Sequence, residues 1–572
     1  MTSRLGEMMG SWNGSTLGKL KRITFQPWID PLWMVALGLA ALLLLTVNLG
    51  GVPLRDWDEG TVAQVAREIW RSSTDPVSSP TGSLTWLYPT LEGQPYLNKP
   101  TLLHILIAQC FAIGGVNEWM ARLPGALLTA LSVPLLYGIG REIFVKRTPA
   151  VFAALIYLTW LPVVRHGRLA MLDGALVCFF LFSLWCLLRA RRDLRWGLGV
   201  GIGFGLMALT KGPIALLLIG LGFGFIAWDT PRLLTSRYLW CGMGLGSAPA
   251  IAWYGAQWVR YGPSFWGINL VDQSFSRLWK PVEGNQGAVW YYLWEILKYT
   301  LPWLIFLPQG FWLAWKNREL GWAKLVLLWS AVYLLVISLM QTKLPWYIMP
   351  LYPALALVAG AMLATIWNPK DIIGIRPITQ RKFSQSWIMA LGGLATVGWI
   401  LCLIFSPIGP FPQPILDIIV TAIALTLTVT TILVIRQDSQ FILVLMWGCY
   451  VSLLLLMVSP YWLWELQESY PVKPVATLIQ QNTPPETVVL TSYPDGRPSL
   501  NFYSDRRVIP IAEKQIPARW SQQPYPYLLT DQATLKRLAL PSVQVLGMAE
   551  GWLLVERAQN LKVAQQSANR PG

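Results

Sequence analysis

Histidine is almost missing from this 572-residue chain: His104 and His166 are the only two, which nearly excludes a histidine-based metal cluster. Charge is scarce as well. Asp, Glu, Lys and Arg make up 13% of the residues, roughly half the share a soluble protein carries. The six cysteines (Cys110, Cys178, Cys186, Cys241, Cys402 and Cys449) all fall inside apolar runs without metal spacing, so they read as small buried residues rather than a disulfide framework. There is no internal repeat and no low-complexity tract. The first 30 residues are polar and basic, and the first apolar run is too long for the core of a cleavable leader, so an uncleaved N-terminus is expected.

What fills the chain instead is apolar sequence, at 54% hydrophobic residues, with 32 tryptophans. Many tryptophans, such as Trp28, Trp33, Trp160, Trp240, Trp290 and Trp346, sit near the ends of apolar runs, as in an interfacial aromatic belt. The runs lie at approximately 32–50, 122–144, 149–165, 171–190, 196–210, 213–228, 239–259, 292–315, 321–340, 346–367, 386–406, 414–435 and 440–463. Their lengths predict about thirteen transmembrane helices in an all-α polytopic membrane protein.

The net charge of +16 does not point to nucleic acid, because many of the basic residues lie in short loops between the runs. Those loops hold Arg141/Lys146/Arg147, Arg189/Arg191/Arg192/Arg195, Arg232/Arg237, Lys316/Arg318/Lys324 and Arg376/Arg381/Lys382. They fall on one side, the cytoplasm, only if the short apolar run 101–112 does not cross. Residues 101–112 and the amphipathic 61–70 are therefore expected to be surface helices. This predicts a cytoplasmic N-terminus at 1–31 and a transmembrane domain at 32–463 with an extracytoplasmic loop at 51–121. The turns 165–172, 211–213 and 341–346, the 260–291 loop and everything from 464 to 572 also fall outside.

The tail alternates short β-like runs (Thr487–Ser492, Arg507–Ile511, Tyr527–Thr530, Val543–Gly547, Trp552–Val555) with helical patterns at Pro474–Gln481 and Gln532–Leu538. With turns at Pro484-Pro485 and Pro494-Asp495-Gly496, it reads as a small α/β domain without cysteine.

The polar residues hardest to explain structurally collect on the predicted outer face. They are Asp56/Asp58/Glu59, Asn98-Lys99-Pro100, the turn from Arg165 through Arg168 to Asp173, Lys211-Gly212-Pro213, and Lys343-Leu344-Pro345-Trp346-Tyr347. The loop with Asp272, Arg277 and Lys280 joins them. Each has a bland reading. Lys211 or Lys343 alone would snorkel, Arg165 and Arg168 would pair with Asp173, and Glu59 would stabilise a helix N-terminus. Together, several cations and two separated carboxylate sites fit a phosphate-bearing ligand plus acid–base chemistry.

These residues also carry a resemblance. Asp58-Glu59 is followed by Ala63-Gln64-Val65-Ala66-Arg67-Glu68, then Asn98-Lys99-Pro100 and Asn117-Glu118-Trp119-Met120-Ala121-Arg122-Leu123-Pro124. Arg168-Leu169-Ala170-Met171-Leu172-Asp173, Leu209-Thr210-Lys211-Gly212-Pro213 and Lys343-Leu344-Pro345-Trp346-Tyr347 follow in order. The chain resembles membrane glycosyltransferases of the GT-C fold, in particular the lipid A aminoarabinose transferases and the protein O-mannosyltransferases, over roughly residues 30–365.

The resemblance implies a polyprenyl-phosphate sugar donor and transfer on the extracytoplasmic face. The acceptor would be a lipid, a glycan or a protein, and the partners would be membrane lipids and no nucleic acid. It implies Asp58 as the catalytic carboxylate and Asp173 as a second acidic position shaping the site. Lys99, Arg277 and Tyr347 would bind the donor phosphate; Lys343 is grouped with them as a further outer-face cation, and Glu59, Arg168 and Lys211 would support. The neighbouring Glu59 competes with Asp58 for the role of base.

The chain departs from the pattern at Asn98, where aminoarabinose transferases often have an acidic residue, and in having no histidine in the large outer loop. A divalent metal therefore has no clear ligand set, although Asp272 stands in that loop. Two other classes compete. A secondary transporter or lipid flippase would place its charges near mid-bilayer on repeated halves, which the sequence does not show. A non-catalytic scaffold would explain the tail but not the clustered charges of the membrane loops.

Overall fold

The computed structural model describes residues 28–75, 82–282, 284–368, 383–463, 472–485, 487–521 and 527–557. Most of the basic N-terminal segment and the Arg376/Arg381/Lys382 loop lie outside the described residues.

The chain up to Val458, about four-fifths of its length, is a helical body. Its leading helices are α1 (Ile29–Thr46), α2 (Asp58–Thr74), α3 (Leu102–Gly114), α4 (Glu118–Ile143), α5 (Thr148–Leu158) and α6 (Leu161–Arg168). They are followed by α7 (Leu172–Arg189), α8 (Gly197–Lys211), α9 (Ile214–Asp229) and α10 (Arg237–Tyr261). The later long helices span Gly321–Leu339, Tyr352–Trp367, Gln385–Phe405, Pro414–Ile435 and Phe441–Val458. Among the described residues, eight helices are long and apolar enough to cross a membrane, or nine if the bent pair α5–α6 counts as one.

Three expectations change. The expected span 149–165 is broken: α5 and α6 meet at 58°, with Trp160 in extended backbone and its indole donating to the Thr300 carbonyl at 3.1 Å. The expected span 292–315 is also broken into Tyr291–Tyr299, a 3-10 turn at Trp303–Phe306 and Leu307–Lys316. Pro302 stands in that break and has no N–H to continue the ladder. The 260–291 segment, expected as a loop, is largely helical. It runs from Pro263–Phe265 into a π-helical stretch at Trp266–Phe275 and a last turn at Ser276–Trp279.

Glycine allows α8 and α10 to touch backbone to backbone. A Cβ on Gly201 would stand 1.8 Å from the carbonyl oxygen of Gly242. The helices α2 and α3 pack together, α3 also packs on α4, and the two carry the first loop.

The C-terminal domain is built on a five-stranded sheet: β3 (Val488–Thr491), β4 (Arg507–Pro510), β5 (Tyr527–Asp531), β6 (Val543–Ala549) and β7 (Trp552–Arg557), in the order β4-β3-β5-β7-β6. A two-stranded hairpin, β1 (Thr90–Leu91) and β2 (Gln94–Pro95), belongs to the first loop. In the large sheet β4, β3 and β5 run parallel, and β7 pairs antiparallel with both β5 and β6. Successive residues face opposite sides, as strand geometry requires. Val489, Leu529 and Leu554 pack with the Val472–Asn482 helix, and Leu490, Leu528 and Val555 pack with Ile516 and Trp520. All five expected strands form, as do both expected helices. The helices Pro498–Ser504 and Ile516–Ser521 are additional.

Candidate active site

The site gathers groups from five chain segments: the first loop, the head of α7, the end of α8, the Ser276–Trp279 turn and the Pro345–Leu351 turn. Lys99 precedes α3 in the turn after the β1–β2 hairpin. That turn is held by Asn269, whose side-chain amide donates to the carbonyls of Leu97 and Asn98 at 2.9 and 3.3 Å. Asn269 belongs to the π-helical stretch, which runs directly into the Ser276–Trp279 turn that carries Arg277, so one continuous segment fixes the Lys99 turn and presents Arg277.

Asp173 lies in the first turn of α7, where the helix dipole favours a carboxylate. Its partner is Lys211, the last residue of α8, at 2.5 Å. Gly212 then takes φ +72, a backbone conformation that side-chain-bearing residues rarely adopt, and ends the helix. The Lys-Gly-Pro motif thus delivers a cation at a helix C-terminus and turns the chain at once into α9. The Lys211 ammonium also lies 5.2 Å from the centre of the Tyr347 ring.

The Tyr347 hydroxyl accepts a hydrogen bond from Arg277 Nη1 at 2.8 Å, and Arg277 Nη2 donates to the Gln273 side chain at 2.9 Å. The backbone fixes this meeting. Thr342 N donates to Arg277 O and Gln341 N to Leu278 O, tying the 277–278 turn to the segment that leads into Tyr347. Pro345 then opens the 3-10 helix Pro345–Leu351 that carries Tyr347.

Lys99 feels the charges of Arg277, Lys211 and Asp173. Its ammonium is brought down to about 7, first by desolvation and then by the charges of Arg277 and Lys211, with Asp173 and Asp58 opposing. Asp58 heads α2 and also bears on Tyr96, whose hydroxyl is held above its ordinary range by burial and by that carboxylate. Asp58, Lys99, Asp173, Lys211, Arg277 and Tyr347 therefore form one electrostatic neighbourhood.

Other expected site residues take different places. Glu59 has no solvent exposure and spends all four acceptor positions internally. Oε1 receives Arg122 Nε and Ala170 N, each at 2.8 Å; Oε2 receives Arg122 Nη2 at 2.8 Å and Arg55 N at 3.1 Å. Burial raises its carboxyl, but Arg122, Arg55 and the Ala170 N–H together outweigh this and hold it below the ordinary value.

Arg168 is fully buried and donates to the carbonyls of Leu44, Val47 and Asn48 at the end of α1, and it lies over the Trp462 ring. It caps a helix, and the Asp173 partner is Lys211 where Arg165 and Arg168 were expected. Lys343 is turned onto Ile337 O at 3.1 Å and Ser338 O at 2.7 Å, the last carbonyls of the Gly321–Leu339 helix, in place of a phosphate. Asp272 and Lys280 are exposed. Among the described residues no three His, Cys, Asp or Glu side chains converge to hold a metal. Gln273, Asn269 and Arg122 enter the account only through the structure, although Arg122 stands within one of the quoted motifs.

A family model for dolichyl-phosphate-mannose-protein mannosyltransferases matches residues 98–254. Undecaprenyl phosphate-alpha-4-amino-4-deoxy-L-arabinose arabinosyl transferase 2 of Pseudomonas fluorescens is 31% identical over 364 residues, 61% of this chain and 59% of that protein. The corresponding transferase of Aeromonas salmonicida is 29% identical over 387 residues, 65% of this chain and 66% of its own length. The chain thus spans about three-fifths of the length of the first of these relatives. The crystal structure of ArnT from Cupriavidus metallidurans bound to undecaprenyl phosphate superposes with a TM-score of 0.73 at 21% identity, over 92% of this chain and 98% of that one. The archaeal oligosaccharyltransferase AglB from Archaeoglobus fulgidus, in complex with an inhibitory peptide and a dolichol-phosphate, gives 0.50 at 13% identity, over 89% and 70%.

The chain has the GT-C fold. It is a multi-pass membrane protein with ArnT-like architecture. Within the GT-C fold, Asp58 and Lys99 lie on the first loop and Asp173 at the head of α7, so the acidic and cationic groups come together from the ends of separate helices.

Proposed function

We propose that this protein is a glycosyltransferase that moves a sugar from a polyprenyl-phosphate donor to an acceptor hydroxyl or phosphate on a lipid, glycan or protein. The reaction takes place at the extracytoplasmic face of the plasma membrane, where the C-terminal domain also lies. The observation that carries this reading is the neighbourhood of Lys99: Arg277 and Lys211 add positive charge, and Asp58 and Asp173 add carboxylates, in a desolvated turn beside the helix ends. Clustered cations of this kind stabilise a departing phosphate.

In the proposed reaction the bond between the anomeric carbon and the phosphate oxygen breaks as the acceptor oxygen bonds to that carbon. The acceptor proton passes to Asp58. The polyprenyl phosphate leaves with a second negative charge, which Lys99 and Arg277 neutralise, while the Tyr347 hydroxyl holds Arg277 in place. The ion pair with Asp173 holds the Lys211 ammonium beside the Tyr347 ring. The similarity to the aminoarabinose transferases makes the undecaprenyl-phosphate-linked aminoarabinose the first donor to test.

Purified protein would be mixed with that donor and an extract of membrane lipids, and released undecaprenyl phosphate followed by mass spectrometry. Wild type releases it, and Asp58→Asn and Lys99→Ala do not. If wild type neither binds nor cleaves this donor or its mannosyl counterpart, the reading is wrong.

A further inference from the structure

Asp58 is held between two anchors, one of which belongs to the C-terminal domain. The residue before it, Trp57, takes φ +59 and ψ −64. Asp58 N donates to Asp56 O at 2.9 Å, so Asp56–Trp57–Asp58 is a γ-turn with the central residue at positive φ. A large side chain enters that conformation only when its surroundings over-determine it.

The surroundings are named. Asp56 is buried, and its carboxylate takes three donors from residues 497–499: Arg497 Nη1 at 2.6 Å, Ser499 N at 3.3 Å, and Ser499 Oγ. The Trp57 indole donates to Gly496 O at 3.0 Å, and the Arg497 guanidinium lies 5.5 Å from the centre of the Trp57 ring. Gly60 presses against the same short helix; a Cβ there would stand 2.7 Å from Ser499 N. On the other side of Asp58, Glu59 is locked by Arg122, Arg55 N and Ala170 N.

We propose that Arg497 and Ser499 are positioning residues: by gripping Asp56 they hold the Trp57 γ-turn, and the turn aims the Asp58 carboxylate at the reacting hydroxyl. This rests on the role proposed above for Asp58. A domain that only covered the site would have no reason to place a buried ion pair two residues from the base. Released from Asp56, the turn relaxes toward negative φ, and the carboxylate swings while the donor-phosphate cations stay where they are. Misplacing a catalytic group by about an ångström costs rate without costing donor affinity.

The test uses the full-length protein in detergent with Arg497→Gln, Arg497→Lys and Ser499→Ala. Hydrogen exchange of the backbone amides at 55–60 reports the turn. Binding of undecaprenyl phosphate and the kcat and KM for the undecaprenyl-phosphate-linked aminoarabinose report the site. In Arg497→Gln and Ser499→Ala, exchange at these amides accelerates and kcat falls by about tenfold, with donor KM and undecaprenyl phosphate affinity within about twofold of wild type. Arg497→Lys recovers part of both losses, since it keeps the charge without the fork.

Faster exchange with unchanged kcat overturns the proposal, because the turn would then not matter to the reaction. So does unchanged exchange, because the grip would then not hold the turn. A joint collapse of kcat, KM and thermal midpoint would leave Arg497 and Ser499 with a structural role only. If wild type neither binds undecaprenyl phosphate nor turns over donor, the functional reading of the site fails, and the exchange arm still decides whether these two residues hold the turn.

Discussion

Glu59 and Arg122 form a two-pronged ion pair with both side chains fully withdrawn from solvent, each prong 2.8 Å long. Arg122 also donates to the carbonyls of Leu49, Val52 and Pro53, so this pair joins α4, α2 and the loop that leaves α1. Removing one member of such a buried pair strands the other and costs about 3–5 kcal/mol. Glu59→Gln and Arg122→Lys are therefore expected to lower thermal stability and yield, as read from a melting curve in detergent. The small fraction that folds should keep its donor affinity. A Glu59→Gln protein with a wild-type melting curve and abolished turnover would instead return Glu59 to the role of base.

Asp58 has the opposite profile, since it is only half-buried. Asp58→Asn keeps the size and loses the ability to take a proton, so turnover is expected to fall by about a hundredfold or more with folding and donor binding nearly intact. One carboxylate acting on the acceptor suits a single displacement, so the product is expected to have inverted anomeric configuration. Asp173 is tied to Lys211 and is expected to lose donor affinity and turnover together when changed to Asn. Chiral analysis of the product checks the stereochemistry, and retention would rule out the single displacement.

The Lys99 ammonium, brought down to about 7, should make donor binding depend on pH in one direction. Lys99 is cationic below that value and neutral above it. The donor is a phosphate diester whose single charge does not change in this range. Affinity is therefore expected to be highest below pH 7 and to fall above it, by up to about tenfold per unit. Lys99→Ala should bind weakly with a flat profile, and Lys99→Arg, which stays charged, should be flat as well. Isothermal titration between pH 6 and 8.5 reads this out. An unchanged slope in Lys99→Ala would assign the titration to another group.

Charged groups at the ends of apolar runs, which have few structural reasons to exist, together with the family resemblance singled out Asp58, Lys99, Asp173, Lys211, Arg277 and Tyr347 as candidates, and the structure brings these six into one neighbourhood. The pairing among them was not legible. Asp173 looks to Arg165 and Arg168 in sequence, but a helix turn sends Arg168 back onto the carbonyls of α1, and Lys211 arrives from 38 residues away. Lys343 reads as a loop cation and is a helix cap, since its Nζ finds open carbonyls five and six residues back.

In the C-terminal domain the strands show through their alternation, while the Pro498–Ser504 helix does not. Seven residues are too few for a helical period, and its importance lies in Asp56, some 440 positions earlier. Breaks in apolar runs were equally hidden: hydropathy runs smoothly across 292–315, whereas the backbone stops at Thr300–Pro302.

Sidedness is the expectation on which the extracytoplasmic placement depends. Lys99, Asp173 and the C-terminal sheet cluster at one face of the helical body, while the Arg189–Arg195 turn joins the opposite ends of α7 and α8. The charge bias of the basic turns leads to the expectation that this opposite face is cytoplasmic. In a background lacking the six native cysteines, Arg192→Cys in intact cells should stay unlabelled by a membrane-impermeant maleimide until the membrane is opened. The position is suitable because the Arg192 side chain is 73% exposed, and its ion pair with Glu142 is largely open to solvent on the arginine side. A cysteine at the exposed Lys514, in the C-terminal domain, should label in intact cells. Labelling of Arg192→Cys in intact cells would invert the topology. The reaction would then draw on the cytoplasmic leaflet, and the extracytoplasmic part of the proposed function would have to be withdrawn.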